Sequence, residues 1–318
     1  MKEFKNKTVL VTGGTGSIGA EIVRQLLRTD AAQIRIYSRD EHKQYELKQE
    51  LGLGARLRFL IGDVRDKERL DFAFRGVDIC FHAAALKHVP MCEYNPFEAV
   101  KTNIVGTQNV IEVSTKHNVD KVISISTDKA VAPESVLGAS KLMAERLVTA
   151  ANITTGPSRT KFASVRFGNV LSSRGSVVPL WRAQIEKGGP VTVTDERATR
   201  FFMEIPEAVQ LIFDAMHLTQ GGEIFVLKMK KRTVVEFARE VIETYANRKR
   251  IKISFIGLRP GEKLDEALLT AEEMEHTLET KMMFIILPLA IFPGAPRLKA
   301  RDYPGSFKAR DDSYVAGN

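Results

Sequence analysis

A short apolar strand that ends in a glycine-rich turn constrains this chain more than any other feature. Thr8-Val9-Leu10-Val11 leads into Thr12-Gly13-Gly14-Thr15-Gly16-Ser17-Ile18-Gly19, and a helical pattern follows over residues 18–27. Glycines at 13, 16 and 19 permit a tight turn, close approach of the backbone to a pyrophosphate, and close packing of helix on strand. The helix N-terminus then faces the phosphates. In this strand–turn–helix context the spacing predicts a dinucleotide site that includes Gly13, Thr15, Gly16, Ser17 and Ile18.

Strand and helix patterns alternate after this motif. Further strand patterns occur at residues 34–37, 57–61, 79–82, 122–125 and 162–165, with helical stretches such as 41–51, 99–116 and 140–150 between them. Such alternation predicts βαβ units and a parallel sheet with helices on both faces. We therefore expect an α/β fold, with a Rossmann-type doubly wound parallel sheet and a smaller, interleaved substrate-binding lobe.

The pattern becomes less regular after about residue 166, which gives the expected domain boundaries. Residues 1–165 would form the dinucleotide-binding domain, and residues 166–287 mainly the substrate-binding lobe with late elements of the sheet interleaved. Residues 288–318 are rich in Pro, Arg, Lys and Asp. We expect this tail to be loosely ordered or wrapped over a surface.

Composition excludes several classes of protein. The chain has 318 residues, of which 44% are hydrophobic and 27% charged, and only two are cysteines. Without a CxxC pair or a Cys/His cluster, it has no disulfide framework and no metal site, and a reducing compartment is indicated. The chain opens without a signal-peptide pattern, and its longest apolar stretch, residues 282–292, is too short to span a bilayer. We therefore expect a cytoplasmic protein with no membrane span.

The net charge of +8 is scattered along the chain. It forms no basic stripe interleaved with aromatic residues, so we expect no nucleic-acid partner. The charge is compatible with anionic ligands and equally with a basic surface.

The end of the second strand indicates which dinucleotide binds. An acidic residue there would hydrogen-bond the adenosine ribose of NAD, whereas this chain reads Tyr37-Ser38-Arg39-Asp40-Glu41-His42-Lys43. Arg39 and Lys43 are suited to the 2′-phosphate of NADP, and Ser38 can donate a hydrogen bond to it. Asp40 or Glu41 would weaken binding of the 2′-phosphate if its side chain turned inward. NADP is therefore favoured, and NAD is the alternative. Asp63 and Val64 follow the third strand and suit the adenine edge.

The fourth strand leads into His82-Ala83-Ala84-Ala85-Leu86-Lys87-His88. The small residues Ala83, Ala84 and Ala85 let the backbone approach the nicotinamide side of the cofactor. Lys87 is either a substrate contact or a solvated loop lysine. His82 and His88 lack partners at metal-ligand spacing, so we expect His82 to be packed and His88 to lie in a loop. Asn103, in the following helix, is a candidate for fixing backbone or water near Lys141.

The candidate reacting centre follows the fifth strand. The chain reads Ser126-Thr127-Asp128-Lys129 and then Leu137-Gly138-Ala139-Ser140-Lys141. In nicotinamide-dependent short-chain dehydrogenases, a tyrosine four residues before a lysine takes a proton from the substrate hydroxyl. The two side chains share one helix face, and the lysine lowers the pKa of the tyrosine. Here the tyrosine is replaced by Leu137. Either Asp128 and Lys129 carry the catalysis, or the fold binds a dinucleotide without activity.

Seven segments between residues 37 and 263 carry a resemblance, covering roughly residues 8–285, to the UDP-N-acetylglucosamine 4,6-dehydratases. These form a polysaccharide-biosynthesis branch of the extended short-chain dehydrogenase/reductase family. The segments are Tyr37-Ser38-Arg39-Asp40-Glu41, Ala83-Ala84-Ala85-Leu86-Lys87-His88-Val89-Pro90, Ser126-Thr127-Asp128-Lys129-Ala130-Val131, Arg166-Phe167-Gly168-Asn169-Val170-Leu171, Arg174-Gly175-Ser176-Val177, Thr194-Asp195-Glu196-Arg197 and Arg259-Pro260-Gly261-Glu262-Lys263.

The resemblance implies an internal redox cycle on UDP-N-acetylglucosamine or a related UDP-sugar. C4 is oxidised with tightly bound NADP, water is lost across C5–C6, and the hydride returns to C6. Asp128 is then the acid at C6 and Lys129 the base at C5. A lysine acts as a base only if burial or a cation lowers its pKa, and Lys141 is the candidate cation. Some relatives have methionine in place of Leu137.

Further roles are expected on the substrate side. Thr127 is a candidate to orient the C4 oxygen of the sugar. The proton of the C4 hydroxyl would be taken by Lys141, by a ribose hydroxyl or by water. Asn169 can hydrogen-bond a diphosphate, for which Arg174 and Arg200 offer charge. The resemblance assigns Arg259 to the diphosphate and Glu262 to the uridine ribose, and Thr194 is expected among the substrate-binding residues. It also implies a homo-oligomer, in which helices over residues 98–116 and 140–150 pair across a two-fold axis.

Two alternatives remain at this stage. An epimerase of the same fold would use the 4-keto intermediate without losing water, and the Asp128-Lys129 pair argues for dehydration. A non-catalytic NADP-binding sensor would not need Asp128, Lys129, Arg259 or Glu262, all of which are present. The configuration at C5 of the product is left open.

Overall fold

The computed structural model describes residues 2–316 except 53, 157, 172, 174, 248–249 and 290–296; the side chain of Lys2 is also excluded. The strands in this described part are β1 Thr8–Thr12, β2 Gln33–Ser38, β3 Leu57–Ile61, β4 Ile79–His82, β5 Lys121–Ile125, β6 Lys161–Arg166, β7 Asn169–Val170, β8 Val191–Val193, β9 Thr199–Met203, β10 Ile224–Leu227, β11 Lys230–Thr233, β12 Ile253–Phe255, β13 Thr277–Glu279, β14 Met283–Ile286 and β15 Phe307–Lys308.

The α-helices in the same part of the chain are α1 Ser17–Leu26, α2 Glu41–Leu51, α3 Lys67–Phe74, α4 Val89–Tyr94, α5 Pro96–Ala99, α6 Gly106–Lys116, α7 Val136–Thr154, α8 Val177–Glu186, α9 Ile205–Leu218, α10 Val234–Tyr245 and α11 Ala271–Glu275. A π-helical segment, Val100–Val105, joins α5 to α6, and a short 3₁₀ turn covers Asp128–Ala130. Helix α7 begins earlier than residue 140 because the Ser135 side chain accepts a hydrogen bond from Gly138 N at 3.1 Å and caps it.

The central sheet has ten strands in the order β15-β13-β14-β10-β6-β5-β4-β1-β2-β3. Seven neighbouring strands, from β3 to β10, are parallel, while β14, β13 and β15 add an antiparallel edge. The order 3-2-1-4-5-6 within it is that of the Rossmann fold. The predicted α/β fold with a doubly wound, mostly parallel sheet is therefore confirmed.

Helices cover both faces of this sheet. On one face α1 packs against α9, and on the other α6 packs between α3 and α7. The strands β1, β4, β5 and β6 contribute buried apolar residues to clusters on both faces, as Val9 and Leu10 of β1 illustrate. A parallel strand covered on both sides has this nearly continuous apolar sequence.

A second, smaller cluster of apolar side chains lies apart from the main core. Trp181 of α8 packs with Phe237 of α10, and Phe202 of β9 contacts the same ring at a centroid distance of 4.5 Å. The two-stranded sheet of β8 and β12 belongs to this unit. β10 and β14 then return the chain to the main sheet and are completely buried.

The described part of the C-terminal tail, residues 297–316, is attached to the body. β15 pairs with β13, and the buried Tyr303 hydroxyl donates to Glu223 Oε1 at 2.6 Å. Glu223 also accepts hydrogen bonds from Thr219 and from the backbone of Gly221. The tail was expected to be either loosely ordered or wrapped over a surface. This stretch wraps over the surface.

Across the described ranges, none of the helices combines the length and apolar character that crossing a membrane requires.

Candidate active site

A cavity of about 820 Å³ opens at the carboxyl ends of the parallel strands. This is the edge at which Rossmann-type sheets bind ligands. Every predicted cofactor residue lines it, namely Gly13, Thr15, Gly16, Ser17, Ile18, Ser38, Arg39, Lys43, Asp63, Val64, Ala83, Ala84, Ala85 and Lys141. The opposite wall comes from residues beyond β6, including Asn169, Arg200, Arg259 and Glu262.

The turn after β1 brings two backbone segments into close contact. Gly13 has a φ of +64°, and a Cβ atom added to it would lie 2.6 Å from the backbone nitrogen of Ala84. Only glycine readily adopts this positive φ and also lacks the Cβ atom for which there is no room. The N-cap residue of α1 is Gly16, which has no side chain to cap the helix, and the first turn faces the cavity. The turn therefore fits a pyrophosphate.

The end of β2 presents a polar group of side chains to the cavity. Ser38 Oγ lies 2.8 Å from Thr15 Oγ1. Asp40 turns toward its own helix, where it accepts from the backbone of Lys43 at 3.0 Å and from Lys43 Nζ at 2.5 Å. Arg39 is more than half exposed and lies 3.6 Å from Asp63. Asp40 thus acts as the N-cap of α2, and Glu41 is exposed.

Asp128 and Lys129 form an acid–amine pair beyond β5, in which the carboxyl group is buried and the lysine side chain is partly exposed. Asp128 is completely buried, and its Oδ1 accepts from Lys129 Nζ at 3.0 Å and from Thr127 Oγ1 at 2.7 Å. Lys129 and Thr127 line the cavity, whereas Asp128 lies behind them and its carboxyl group contacts both.

A further carboxyl group, which the sequence did not reveal, completes this centre. Glu266 lines the cavity and is 2% exposed, and its Oε1 lies 3.4 Å from Lys129 Nζ. Burial lowers the pKa of Lys129, but the carboxylates of Asp128 and Glu266 outweigh burial and hold it above its ordinary value. The prediction that Lys141 lowers the pKa of Lys129 is wrong, because the nearby cation that opposes these carboxylates is Arg200.

Leu137 and Lys141 lie one turn apart on α7 and both line the cavity. Leu137 is 3% exposed and packs with Cys92 and Ala99, so an apolar side chain fits its surroundings. Lys141 Nζ donates to the carbonyl of Ile125 at 2.6 Å. Burial lowers the pKa of Lys141 to about 8, so this amine can exchange a proton near neutral pH.

His82 is buried, as predicted, between two threonine hydroxyls. Thr12 Oγ1 lies 2.7 Å from its Nδ1, and Thr107 Oγ1 lies 3.1 Å from its Nε2. Burial and the charge of Lys141 lower the pKa of His82 to about 3, so the ring is neutral. His88 lies at the N-terminus of α4.

The predicted substrate residues fall into two groups. Lys87, Asn169, Arg200, Arg259 and Glu262 line the cavity. Asn103 and Thr194 lie behind its wall, while Arg174 lies outside the described residues.

Asn103 and Thr194 each hold a group that does line the cavity. The Asn103 amide bonds both backbone groups of Leu86, with the carbonyl oxygen accepting at 2.8 Å and the nitrogen donating at 3.2 Å. Thr194 Oγ1 donates to Glu262 Oε1 at 3.2 Å, and the buried Arg200 donates to the same oxygen at 3.0 Å.

More basic than acidic side chains face this cavity, which suits an anionic ligand. The basic ones are Arg39, Lys43, Lys87, Lys129, Lys141, Arg200 and Arg259, and the acidic ones are Asp40, Asp63, Glu262 and Glu266.

The strand order, the glycine turn and the cavity closed by a second unit define the class, which is the extended short-chain dehydrogenase/reductase enzymes. Comparison with known sequences then gives the family. The chain belongs to the family described as polysaccharide biosynthesis protein, whose model matches residues 9–288. The resemblance inferred from the seven sequence segments is confirmed.

Three relatives cover most of the chain. A protein of Methanocaldococcus jannaschii, named an uncharacterized membrane protein, is 53% identical and covers 91% of this chain and 88% of its own. The inverting UDP-N-acetylglucosamine 4,6-dehydratase of Campylobacter jejuni is 41% identical over 90% of this chain and 84% of its own. A UDP-glucose 4-epimerase of Rickettsia prowazekii is 42% identical over 85% of this chain and 80% of its own.

Solved structures agree with the fold. Pen from Bacillus thuringiensis superposes with a TM-score of 0.88 at 45% identity, covering 90% of this chain and 89% of that one. A Thermus thermophilus UDP-glucose 4-epimerase in complex with NAD gives a TM-score of 0.72 at 25% identity, covering 82% of this chain and 90% of that one. The Campylobacter jejuni and Rickettsia prowazekii relatives are named as nucleotide-sugar enzymes, and they support a role of the nucleotide-sugar dehydratase or epimerase type for this chain.

Proposed function

We propose that this protein is a UDP-N-acetylglucosamine 4,6-dehydratase, which forms a UDP-4-keto-6-deoxy sugar for surface glycan or polysaccharide biosynthesis. The observation that carries the proposal is the Asp128–Lys129 pair. It supplies a buried acid and an amine at the cavity, while Leu137 stands where the redox enzymes of this class rely on a tyrosine. Loss of water requires one group that takes the C5 proton and one that protonates the C6 hydroxyl.

The proposed cofactor is NADP. The Gly13 turn, the open first turn of α1 and the small residues Ala83–Ala85 fit a dinucleotide, and Ser38, Arg39 and Lys43 fit its 2′-phosphate. When bound, it accepts a hydride from the sugar and later returns it. The NAD bound by the Thermus thermophilus epimerase supports a nicotinamide dinucleotide as the cofactor. The proposal of NADP over NAD rests on the residues of β2 and α2.

The proposed roles follow from which groups reach the cavity. Thr127 orients the C4 oxygen, and Lys141, with a pKa of about 8, is suited to take the C4 hydroxyl proton. Lys129 takes the C5 proton, which the 4-keto group makes acidic. Asp128 does not line the cavity, and its Oδ1 lies 3.0 Å from Lys129 Nζ and 2.7 Å from Thr127 Oγ1. It is therefore proposed to act as the acid at C6 by relaying the proton that Lys129 takes from C5, through Thr127, to the departing C6 hydroxyl.

On the substrate side, cations and polar groups suit a uridine diphosphate. Arg259 is exposed at the cavity and is proposed to bind the diphosphate together with Asn169 and Lys87, which also line the cavity. Glu262 is held by Thr194 and Arg200 and is proposed to bind the uridine ribose. The Campylobacter jejuni relative, named for UDP-N-acetylglucosamine, supports this choice of substrate.

Proton NMR of the protein with UDP-N-acetylglucosamine and NADP⁺ in D₂O tests the proposal. Dehydration gives a new C6 methyl signal with deuterium at C5, and the coupling constants of the product assign its configuration at C5. A bound cofactor with no change in this sugar or its galacto epimer would overturn the proposed reaction.

The second candidate is a 4-epimerase, which the relative from Rickettsia prowazekii favours. Its product keeps the C6 hydroxyl, so the same spectrum would show signals of the epimeric UDP-sugar and no methyl group. Asp128 and Lys129 would then have no proton-transfer task at C5 and C6.

We expect replacement of Arg39 and Lys43 by alanine to raise the Kd for NADP about 30-fold and to leave that for NAD nearly unchanged. A charge-assisted hydrogen bond contributes about 1.5–3 kcal/mol, and a tenfold change in Kd corresponds to about 1.4 kcal/mol. Titration calorimetry measures both constants. Lys48→Ala, an exposed change on the same helix, is the control. An equal loss of affinity for NADP and for NAD would contradict a 2′-phosphate site at Arg39 and Lys43.

Assembly and location are also proposed. Val105 and Met143, next to α6 and on α7, are exposed apolar side chains at the helices expected to pair across a two-fold axis, which supports a homo-oligomer. The buried, unpaired Cys80 and Cys92 support a reducing compartment, and we propose the cytoplasm.

A further inference from the structure

Two buried carboxyl groups share one ammonium group at the reacting centre. Lys129 Nζ lies 3.0 Å from Asp128 Oδ1 and 3.4 Å from Glu266 Oε1. The second oxygen of each carboxyl group, Asp128 Oδ2 and Glu266 Oε2, is buried and has no hydrogen-bond partner in the described part of the chain. An ionised carboxylate oxygen left in this state is costly. The cluster is therefore suited to hold an additional proton.

The two carboxyl groups differ in how well their charge is stabilised. Asp128 accepts from both Thr127 and Lys129 and has no face on the cavity. Glu266 is paired with Lys129 at a longer distance and lines the cavity. Since hydrogen bonds to a carboxylate favour its charged form, the more weakly paired Glu266 is suited to take a proton.

The surrounding charges agree with this difference. Besides Lys129 and Asp128, the charged groups that act on Glu266 are Arg200 and Lys263. Arg200 is already bonded to Glu262, and Lys263 donates to the carbonyl of Val131 at 2.7 Å. Burial and the charge of Asp128 outweigh these cations and raise the pKa of Glu266 above its ordinary value.

We propose that Glu266 is a positioning residue that accepts the proton of Lys129, so that Lys129 meets the sugar as a neutral amine. This inference rests on the proposed function, because it concerns the base that acts at C5. One N–H bond of the Lys129 ammonium breaks, an O–H bond forms on Glu266 Oε1, and the charged pair becomes a neutral pair. The amine then takes the C5 proton and becomes an ammonium group again.

Filling of the cavity favours this transfer. A sugar bound against Lys129 and Glu266 displaces water, and loss of water destabilises a charged pair relative to a neutral one. The proton thus leaves Lys129 when the substrate is in place. In the absence of substrate, the two carboxylates keep Lys129 charged.

Glu266→Gln tests the inference, because it removes the proton acceptor and keeps the size of the side chain. Lys129 must then lose its proton to solvent. At pH 7 we expect water loss to slow about 100-fold, the lower end of the effect of a general base. The rate should recover about tenfold per pH unit up to the pKa of Lys129, while the wild-type rate stays flat. Asp265→Asn, which removes an exposed neighbouring carboxylate, is the control and should behave as wild type.

A second measurement does not depend on turnover. NMR of lysine ¹³Cε in the protein without ligands follows the ionisation of Lys129, with the signal assigned through Lys129→Met. Removing one of its two carboxylate neighbours should lower the pH at which Lys129 titrates. An unchanged titration in Glu266→Gln would overturn the inference, and so would a slower rate with the wild-type pH dependence.

The two proposals fail in different ways. If wild-type protein forms no methyl product but the Lys129 titration shifts in Glu266→Gln, the coupling of the two side chains stands and the proposed dehydratase reaction fails. If wild-type protein dehydrates the sugar and Glu266→Gln keeps the wild-type rate, the dehydratase stands and the role of Glu266 fails.

Discussion

Lys129→Met is expected to lower the rate of water loss at least about 10³-fold, within the range ascribed to general acid–base groups. The methionine side chain keeps the apolar stem and removes the amine that faces the cavity. Oxidation at C4 does not need this amine, so reduced nicotinamide should still appear when UDP-N-acetylglucosamine is added. Stopped-flow absorbance of the nicotinamide and NMR of the methyl product measure the two steps separately.

The same substitution leaves Asp128 and Glu266 without their shared cation, so stability must be measured alongside the rate. Lys121→Met is the matched control. Lys121 lies at the opposite end of β5 and donates to the carbonyl of Met216 at 2.7 Å, away from the cavity. We expect it to keep the full rate. A Lys129→Met protein that is folded and dehydrates the sugar at the wild-type rate would remove Lys129 from the mechanism.

Arg166→Met is expected to destabilise the fold by about 3–5 kcal/mol, because it leaves two buried carboxylates without a cation. Arg166 lies at the end of β6, is completely buried, and forms paired hydrogen bonds of 2.7–3.1 Å with Glu145 of α7 and Glu273 of α11. It also donates to the carbonyl of Leu268. Urea unfolding followed by circular dichroism measures the loss.

The control combines Arg166→Met with Glu145→Gln and Glu273→Gln. Neutralising the two carboxylates removes the uncompensated charges, so the triple variant should recover most of the lost stability. Equal midpoints for the single and triple variants would show that the packing of Arg166, and not its charge, holds β6, α7 and α11 together.

The first half of the fold could be predicted because its signals are local. The glycine spacing between β1 and α1, and the burial of strands such as Ile79–His82, are written in consecutive residues. Helix α7 was predicted too short because its start depends on the Ser135 cap and not on an apolar pattern. The return of β10 and β14 to the sheet depends on pairing across long sequence separations, which no local pattern encodes.

The site was predictable only in part, for the same reason. Its cofactor side follows the strand ends, and the residues expected there line the cavity. Its far wall was predicted through resemblance, which located Arg259 and Glu262. Glu266 was missed because only the fold brings it to Lys129. Asp128 and Glu266 together raise the pKa of Lys129, which reverses the expected direction of the shift.

The position of β10 between β6 and β14 has a consequence for synthesis on the ribosome. A nascent chain that ends before residue 224 has already made β6, whose residues are almost all buried in the finished protein, the apolar Phe162, Ala163 and Val165 among them. Until β10 emerges, β6 is an exposed sheet edge, which is a template for pairing with other chains. The nascent protein thus presents an edge open to aggregation during the interval in which residues 167–223 are translated.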